Sequence, residues 1–360
     1  MFYWFSSYLA KYYVCFDVFH YISLRSILAV LTSFFLSLLF GEKMIKILND
    51  YQLGQVVRQE GPKSHLKKTG TPTMGGIMII LTVVLSTLLW SNLQNYFIWV
   101  CLFVIFSSSC VGLYDDFVKI KYKNTKGISA RLKFSLQSLV ALLAAIIINL
   151  NSPDGLYFAV HLPFFKDLSI SLGWFWFAWV LLVTVGSSNA VNLTDGLDGL
   201  ATFPTIMISM ALCLIAYLVG HYHFAHYLSL PYVPGAGEIC VFCGAVVGSG
   251  LGFLWFNTYP AQVFMGDVGS LGLGAAMGIV AVIIKQEILF MIMSAIFVVE
   301  TLSVIIQVVS FKTTGKRVFK MAPLHHHYEM KGWAEPKIII RFWIITFILV
   351  LFCMASLKLR

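Results

Sequence analysis

Residues 239–256 read ICVFCGAVVGSGLGFLWF, eighteen residues without a charge. At 1.5 Å per residue such a helix is about 27 Å long, close to the thickness of a bilayer's hydrocarbon core. Its neighbours repeat the pattern. Working outward along the chain, apolar runs of spanning length predict ten helices, at 22–40, 74–91, 97–114, 132–150, 172–190, 200–219, 239–256, 268–284, 288–310 and 338–357. Composition agrees: of 360 residues, 59% are apolar and 11% charged, and 30 are Phe. Soluble domains carry about 25% charged residues, so a soluble enzyme, a nucleic-acid-binding protein and a disordered chain are excluded. The expected class is an all-α, polytopic integral membrane protein, with residues 1–360 forming a single domain.

The loops give the chain a direction. Nineteen of the 25 Lys and Arg fall in the segments 41–70, 116–133 and 311–341, the first, third and ninth loops. In an alternating ten-helix chain these share one side, which the positive-inside rule makes cytoplasmic; both termini are then periplasmic. Residues 1–21 are crowded with aromatics and lack a compact apolar centre, which suits an interfacial segment and not a cleavable signal. Cys240 and Cys243 form a CxxC inside a predicted span with no second pair, a spacing that reads as helix packing. G272-L-G274-A-A-M-G278 reads the same way.

Only 16 residues are Asp or Glu, and five of these mark a site. Asp115 and Asp116 close the third helix, Asp195 and Asp198 follow the fifth, and Asp267 precedes the eighth. Parity puts all five at the cytoplasmic face, and ionisable groups near lipid are expensive and usually kept for a function. In N189-A-V-N192-L-T-D195-G-L-D198, polar residues recur every third position. An ideal helix would turn them by about half a revolution, so Gly196 and Gly199 are expected to break it. Asp115 and Asp116 lie about 100° apart on a helix and are expected to do different jobs.

Carboxylates and amides without nearby thiols suit a hard cation such as Mg2+. Lys68, Lys119 and Lys133, on the same face, suit a phosphate-bearing substrate. There is no Walker A loop. Three adjacent histidines, His325, His326 and His327, cannot all reach one ion and lack a familiar zinc spacing. Hydrogen bonding to an anionic or nucleotide substrate is the expected role. Glu300, inside a helix, is expected to pack against a polar partner.

The strings G70-T-P-T-M-G-G76, D115-D116-F-V-K119, N189-A-V-N-L-T-D-G-L-D-G199, F264-M-G-D267 and A322-P-L-H-H-H327 together resemble the polyprenyl-phosphate N-acetylhexosamine-1-phosphate transferases, over essentially the whole chain. The APLHHHYE loop with K331-G-W333 is similar to the muramoyl branch of that family. The resemblance implies Mg2+-dependent transfer of phospho-MurNAc-pentapeptide from UDP-MurNAc-pentapeptide to undecaprenyl phosphate at the inner membrane. It implies Asp267 as metal ligand and Asp115, beside Asp116, as the carboxylate acting on the lipid phosphate. Lys68, Asn189, Asp195, Asp198, His325 and His326 are implied as substrate contacts. Asn192, Phe264 and His327, in the same motifs, join them as substrate-binding residues. The expected partners are the two substrates, the lipid bilayer and a second copy in a homodimer, with no nucleic acid. Two other classes compete: a secondary transporter, whose carboxylates belong near the midplane, and a non-catalytic lipid-binding scaffold, which needs basic loops but not five aspartates.

Overall fold

A computed structural model of the chain describes residues 1–50, 70–122, 127–152, 157–163, 165 and 168–358. The helices in chain order are α1 (Phe2–Leu9), α2 (Ile22–Asp50), α3 (Gly76–Trp90), α4 (Tyr96–Lys121), α5 (Ala130–Leu150), α6 (Phe175–Thr194), α7 (Thr202–Gly220), α8 (Tyr222–Tyr227), α9 (Ile239–Asn257), α10 (Gly266–Ile283), α11 (Glu287–Met293), α12 (Ala295–Thr314), α13 (Leu324–Glu329) and α14 (Glu335–Ser356). One two-stranded antiparallel hairpin, β1 (Ala159–His161) with β2 (Ser169–Ser171), lies between α5 and α6.

Among the described residues, nine helices are long and apolar enough to cross a bilayer. The chain is an all-α polytopic membrane protein. All ten expected runs are helical, with two differences. The second run, α3, has only 15 residues, about 22 Å of helix, shorter than a hydrocarbon core of about 30 Å. The N-terminal aromatics cover its end: the Phe2 and Phe19 rings lie 5.0 and 6.1 Å from Trp90. The ninth run is broken. Ser294 ends α11, its hydroxyl donating to the Phe290 carbonyl at 2.7 Å; such back-bonding competes with the helix ladder and bends it. Helix starts follow their caps: the Asn95 side chain accepts from the Phe97 N–H, and the Ser129 hydroxyl from the Leu132 N–H, satisfying otherwise orphaned donors.

The molecule is organised around α10, in which every residue from Val268 to Ile283 is buried. It packs against α3, α4 and α6, while α9 packs against α2, α3 and α7. Without a hydrophobic force between helices in lipid, small residues and short hydrogen bonds hold these contacts. Ser187 Oγ donates to the Gly274 carbonyl at 2.7 Å, and Ser188 Oγ to that of Leu271 at 2.9 Å. Gly112 on α4 touches the Asp267 carbonyl so closely that any Cβ would collide with it. In contrast, α12 buries only Phe297, Glu300 and Ser303 and exposes Val299, Leu302, Ile305 and Val309. That apolar periphery is the surface lipid would cover. The seven cysteines are all free. Cys240 and Cys243 are buried in α9, as the packing reading expected, and the Cys240 thiol donates to the Cys213 carbonyl at 3.0 Å.

Two buried charged features anchor the end of the bundle away from the aspartates. Arg25 Nη2 donates to Glu238 Oε2 at 3.0 Å, and the Asn92 N–H donates to Oε1 of the same carboxylate at 2.6 Å. Lys285, Gln286 and Glu287 are buried in the turn joining α10 to α11.

Candidate active site

The opposite end of the bundle gathers the carboxylates. α4 brings Asp115 and Asp116 down to meet the start of α10, and the Gly112–Asp267 backbone contact fixes how close the two helices come. Carboxylate oxygens of Asp115, Asp116 and Asp267 lie within 4.8 Å of one another. The sequence reading gave the metal only Asp267; the structure groups all three.

Three carboxylates so close repel strongly unless neutralised, and two lysines do this. Lys119 Nζ lies 2.6 Å from Asp115 Oδ2, 2.9 Å from Asp267 Oδ2 and 3.4 Å from Asp116 Oδ1. Lys133, from the first turn of α5, places Nζ 2.8 Å from Asp267 Oδ2 and 3.8 Å from Asp115 Oδ2. Neutral donors complete the cluster. Asn192 Nδ2 donates to Asp267 Oδ1 at 2.7 Å, the Ile128 N–H to Asp115 Oδ1 at 2.8 Å and the Val268 N–H to Asp116 Oδ2 at 3.3 Å. The last of these comes from the first turn of α10, where unpaired N–H groups and the helix dipole favour negative charge.

The donor set fits a divalent cation. It is all carboxylate oxygen, the choice of hard ions. Oxygens sharing a magnesium ion lie at most about 4.2 Å apart, and those sharing calcium about 5 Å, so small side-chain rotations would close the triad on either.

Two of the motifs meet through backbone. The Phe264 N–H donates to the Pro72 carbonyl at 2.9 Å, and the Gly75 and Gly76 N–H groups donate to the carbonyls of Phe264 and Met265 at 2.9 and 2.8 Å. Between them Met74 is held with a left-handed backbone, φ 70°. The 70–76 segment thus braces the loop that delivers Asp267.

The remaining expected residues divide. α6 ends at Thr194 and Asp195 takes the C-cap position, so the helix breaks where the glycines predicted. Asn192 reaches the triad. Asn189 does not: its Nδ2 donates to Gln137 Oε1 and to the Val185 carbonyl. Asp198 is buried, its Oδ2 accepting from the Ala261 N–H at 3.0 Å while its own N–H donates to Glu335. Asp195 is half-buried; burial first, then the charges of Asp267, Asp116 and Asp198, raises its carboxyl to about 8. Lys68 lies outside the described residues.

The three histidine rings go to three places. His325 is buried with Nδ1 3.4 Å from Glu300 Oε2, and its Nε2 abuts Gly196, where any Cβ would collide. His326 Nδ1 pairs with Glu329 Oε2 at 2.7 Å, and His327 Nδ1 accepts from the Lys320 N–H at 3.0 Å. Among the described residues the histidines join no group of three metal-ligating side chains. Glu300 has the polar partner expected for it: its carboxylate accepts from the N–H groups of Leu324 and His325 at 2.6 and 3.0 Å, capping α13. The histidine loop is therefore docked from both sides, onto α12 and onto the Asp195–Gly199 turn.

Sequence reasoning missed Gln137. It is buried one helical turn beyond Lys133 and donates to Ser188 Oγ at 3.0 Å, joining α5 to α6 behind Asn192. The i to i+4 step from Lys133 was the available signal.

A cavity of about 200 Å³ on the side of the bundle runs from the opposite end toward this one. It runs between α6 and the broken α11–α12 pair, from Glu287 to Ala190, and is lined by Trp179, Val183, Phe290 and Phe297 among others. Exposed Leu182, Met291 and Leu302 mark its open side. It is an apolar groove whose lining on α6 ends at Ala190, two residues before Asn192.

Residues 98–285, which contain the aspartate triad, both lysines and the whole Asn189–Gly199 motif, match the model described as Glycosyl transferase family 4 over just over half of the chain. The chain belongs to that family, which contains the polyprenyl-phosphate hexosamine-1-phosphate transferases.

Proposed function

We propose that the chain is a phospho-N-acetylmuramoyl-pentapeptide transferase. It moves phospho-MurNAc-pentapeptide from UDP to undecaprenyl phosphate, yielding lipid I and UMP in peptidoglycan synthesis. One observation carries the reading. A carboxylate triad with two lysines stands at one end of an apolar helical bundle, and an apolar groove on the side of the bundle runs toward it. Phosphoryl transfer needs positioning and charge stabilisation more than covalent chemistry, and a polyprenyl acceptor needs both a water-facing phosphate site and an apolar path. A transporter would hold its carboxylates near the midplane; these lie at helix ends on one face. A passive lipid scaffold has no use for a triad of buried carboxylates. The muramoyl branch rests on the 322–327 loop and on Lys331–Trp333, where Trp333 stacks on Tyr328 at 4.7 Å.

Asp115, Asp116 and Asp267 would hold Mg2+, which when bound supplies neutralising charge for the pyrophosphate as it breaks. Lys119 binds phosphate oxygens, and Lys133 balances the charge of the cluster. Asp115 orients the lipid phosphate or holds its proton, while Asp195 and His326 face the nucleotide-sugar and buried His325 positions the turn that carries Asp195. The basic loops support a reading of this end as cytoplasmic and both termini as periplasmic, and the family resemblance supports a homodimer in the inner membrane. Membrane vesicles test these points together. UMP should appear from UDP-MurNAc-pentapeptide, and not from UDP-GlcNAc, only with Mg2+ and undecaprenyl phosphate present and only when the nucleotide reaches the cytoplasmic side. Release from UDP-GlcNAc instead would move the protein to the other branch.

Asp195 offers a pH test. In the metal-free site its carboxyl is raised to about 8, so without Mg2+ it is neutral at pH 7 and becomes charged as pH rises, when it repels the pyrophosphate. Asp195→Asn has the shape of the neutral acid. It is expected to bind UDP-sugar at pH 7 within about threefold of the parent and to flatten the parent's loss of binding between pH 7 and 9. A loss that persists unchanged in the variant would locate the ionisation elsewhere.

A further inference from the structure

Lys119 occupies an unusual position. Its ammonium sits inside the triad and not at its rim, touching Asp115 and Asp267 at 2.6 and 2.9 Å and approaching Asp116 at 3.4 Å. Residues 115, 116 and 119 share one face of α4 through their i to i+3 and i to i+4 spacing, so the position is built into the helix. Lys133 differs. It reaches Asp267 but stands 3.8 Å from Asp115, flanking the cluster from α5.

We propose that Lys119 is the internal counter-ion of the triad, and that a divalent cation binds by displacing its ammonium, which then turns to a substrate phosphate. The inference rests on the metal-dependent reading above and deepens it. The same oxygens cannot serve both cations, because an ammonium a few ångströms from a divalent ion is repelled by it. Lys119 can leave: its side chain is 28% exposed, against 17% for Lys133, and its four-carbon stem rotates freely. Lys133 shares Asp267 Oδ2 with Lys119 but stands 3.8 Å from Asp115, so it flanks the cluster and stays to balance it. Metal and phosphate are thereby coupled. Whatever holds the displaced ammonium favours the metal, and the metal releases a phosphate ligand, with the reciprocity that linkage requires.

Direct titration with Mn2+, read by its electron paramagnetic resonance signal on the full-length protein in detergent, tests this without turnover. Lys119→Met should bind Mn2+ about tenfold tighter than the parent, the scale of one desolvated charge pair. Lys119→Arg, which keeps the charge, should stay near the parent value, and Lys133→Met should change by no more than about threefold. UMP binding supplies the second readout. Lys119→Met should weaken it when Mn2+ is present and leave it unchanged when Mn2+ is absent, whereas a lysine always on the phosphate would matter in both. Lys119→Gln repeats both measurements if the methionine variant melts early. Equal Mn2+ affinity in parent, Lys119→Met and Lys119→Gln overturns the exchange and leaves the metal reading standing. No Mn2+ binding in any of them overturns both.

Discussion

Asp267→Asn is expected to lose about a thousandfold of transfer activity, and raising Mg2+ should not restore it. Asp267 is where the site's elements join: Lys119 from α4, Lys133 from α5 and Asn192 from α6 all donate to its carboxylate. Asparagine keeps the shape but removes the charge. Two ammonium groups then lose their counter-ion in a half-buried setting, and the triad loses the one ligand contributed by α10. Removing a single preorganised electrostatic group costs about 10²–10³ in rate, and the lost metal ligand adds to it. Initial rates over a wide Mg2+ range measure the effect, with a melting curve to show that the bundle persists. Retention of a tenth of the activity would mean that the metal is held elsewhere.

The second large effect distinguishes two chemical routes. In a covalent route an aspartate attacks the UDP-sugar's β-phosphorus, UMP leaves, and the lipid phosphate then attacks the intermediate. In a direct route the lipid phosphate attacks and Asp115 orients it. The geometry of Asp115 favours the second. Its Oδ1 accepts from the Ile128 N–H and its Oδ2 pairs with Lys119, so both oxygens are engaged and its reach is limited. The acceptor, by contrast, is already an anionic oxygen nucleophile. Labelled UMP should therefore fail to exchange into UDP-sugar when polyprenyl phosphate is rigorously removed. Asp115→Asn should lose at least about a hundredfold in transfer and still bind UDP-sugar. Brisk lipid-independent exchange that vanishes in Asp115→Asn would establish the covalent route.

The long helices were legible because a bilayer demands about twenty apolar residues per span, a signal strong enough to read directly. The break at Ser294 was hidden, since one serine in an apolar run looks like any other and its back-bond is visible only in three dimensions. At the site, Lys119 could be paired with Asp115 and Asp116 from spacing along α4. Its contact with Asp267, 148 residues away, could not, and neither could that of Lys133. Motif order placed Asn189, Asn192, Asp195 and Asp198 together, yet only Asn192 contacts the triad. Ending the helix at Thr194 sends the residues beyond it in new directions, and no periodicity reports those. Glu300 was read as needing a partner, but that the partner is the backbone of the histidine loop depends on how α12 lies against it.

Under the proposed function, the sideways opening between Leu182, Met291 and Leu302 would change what concentration means for this enzyme. A lipid acceptor entering there arrives by diffusion within a sheet, so its encounter rate follows the number of acceptor molecules per unit of membrane area. Adding inert lipid or detergent dilutes that acceptor even when its amount per millilitre stays constant. The nucleotide, arriving through water, is untouched by the same dilution. Saturation curves for the two substrates therefore belong on different axes, mole fraction for one and molarity for the other.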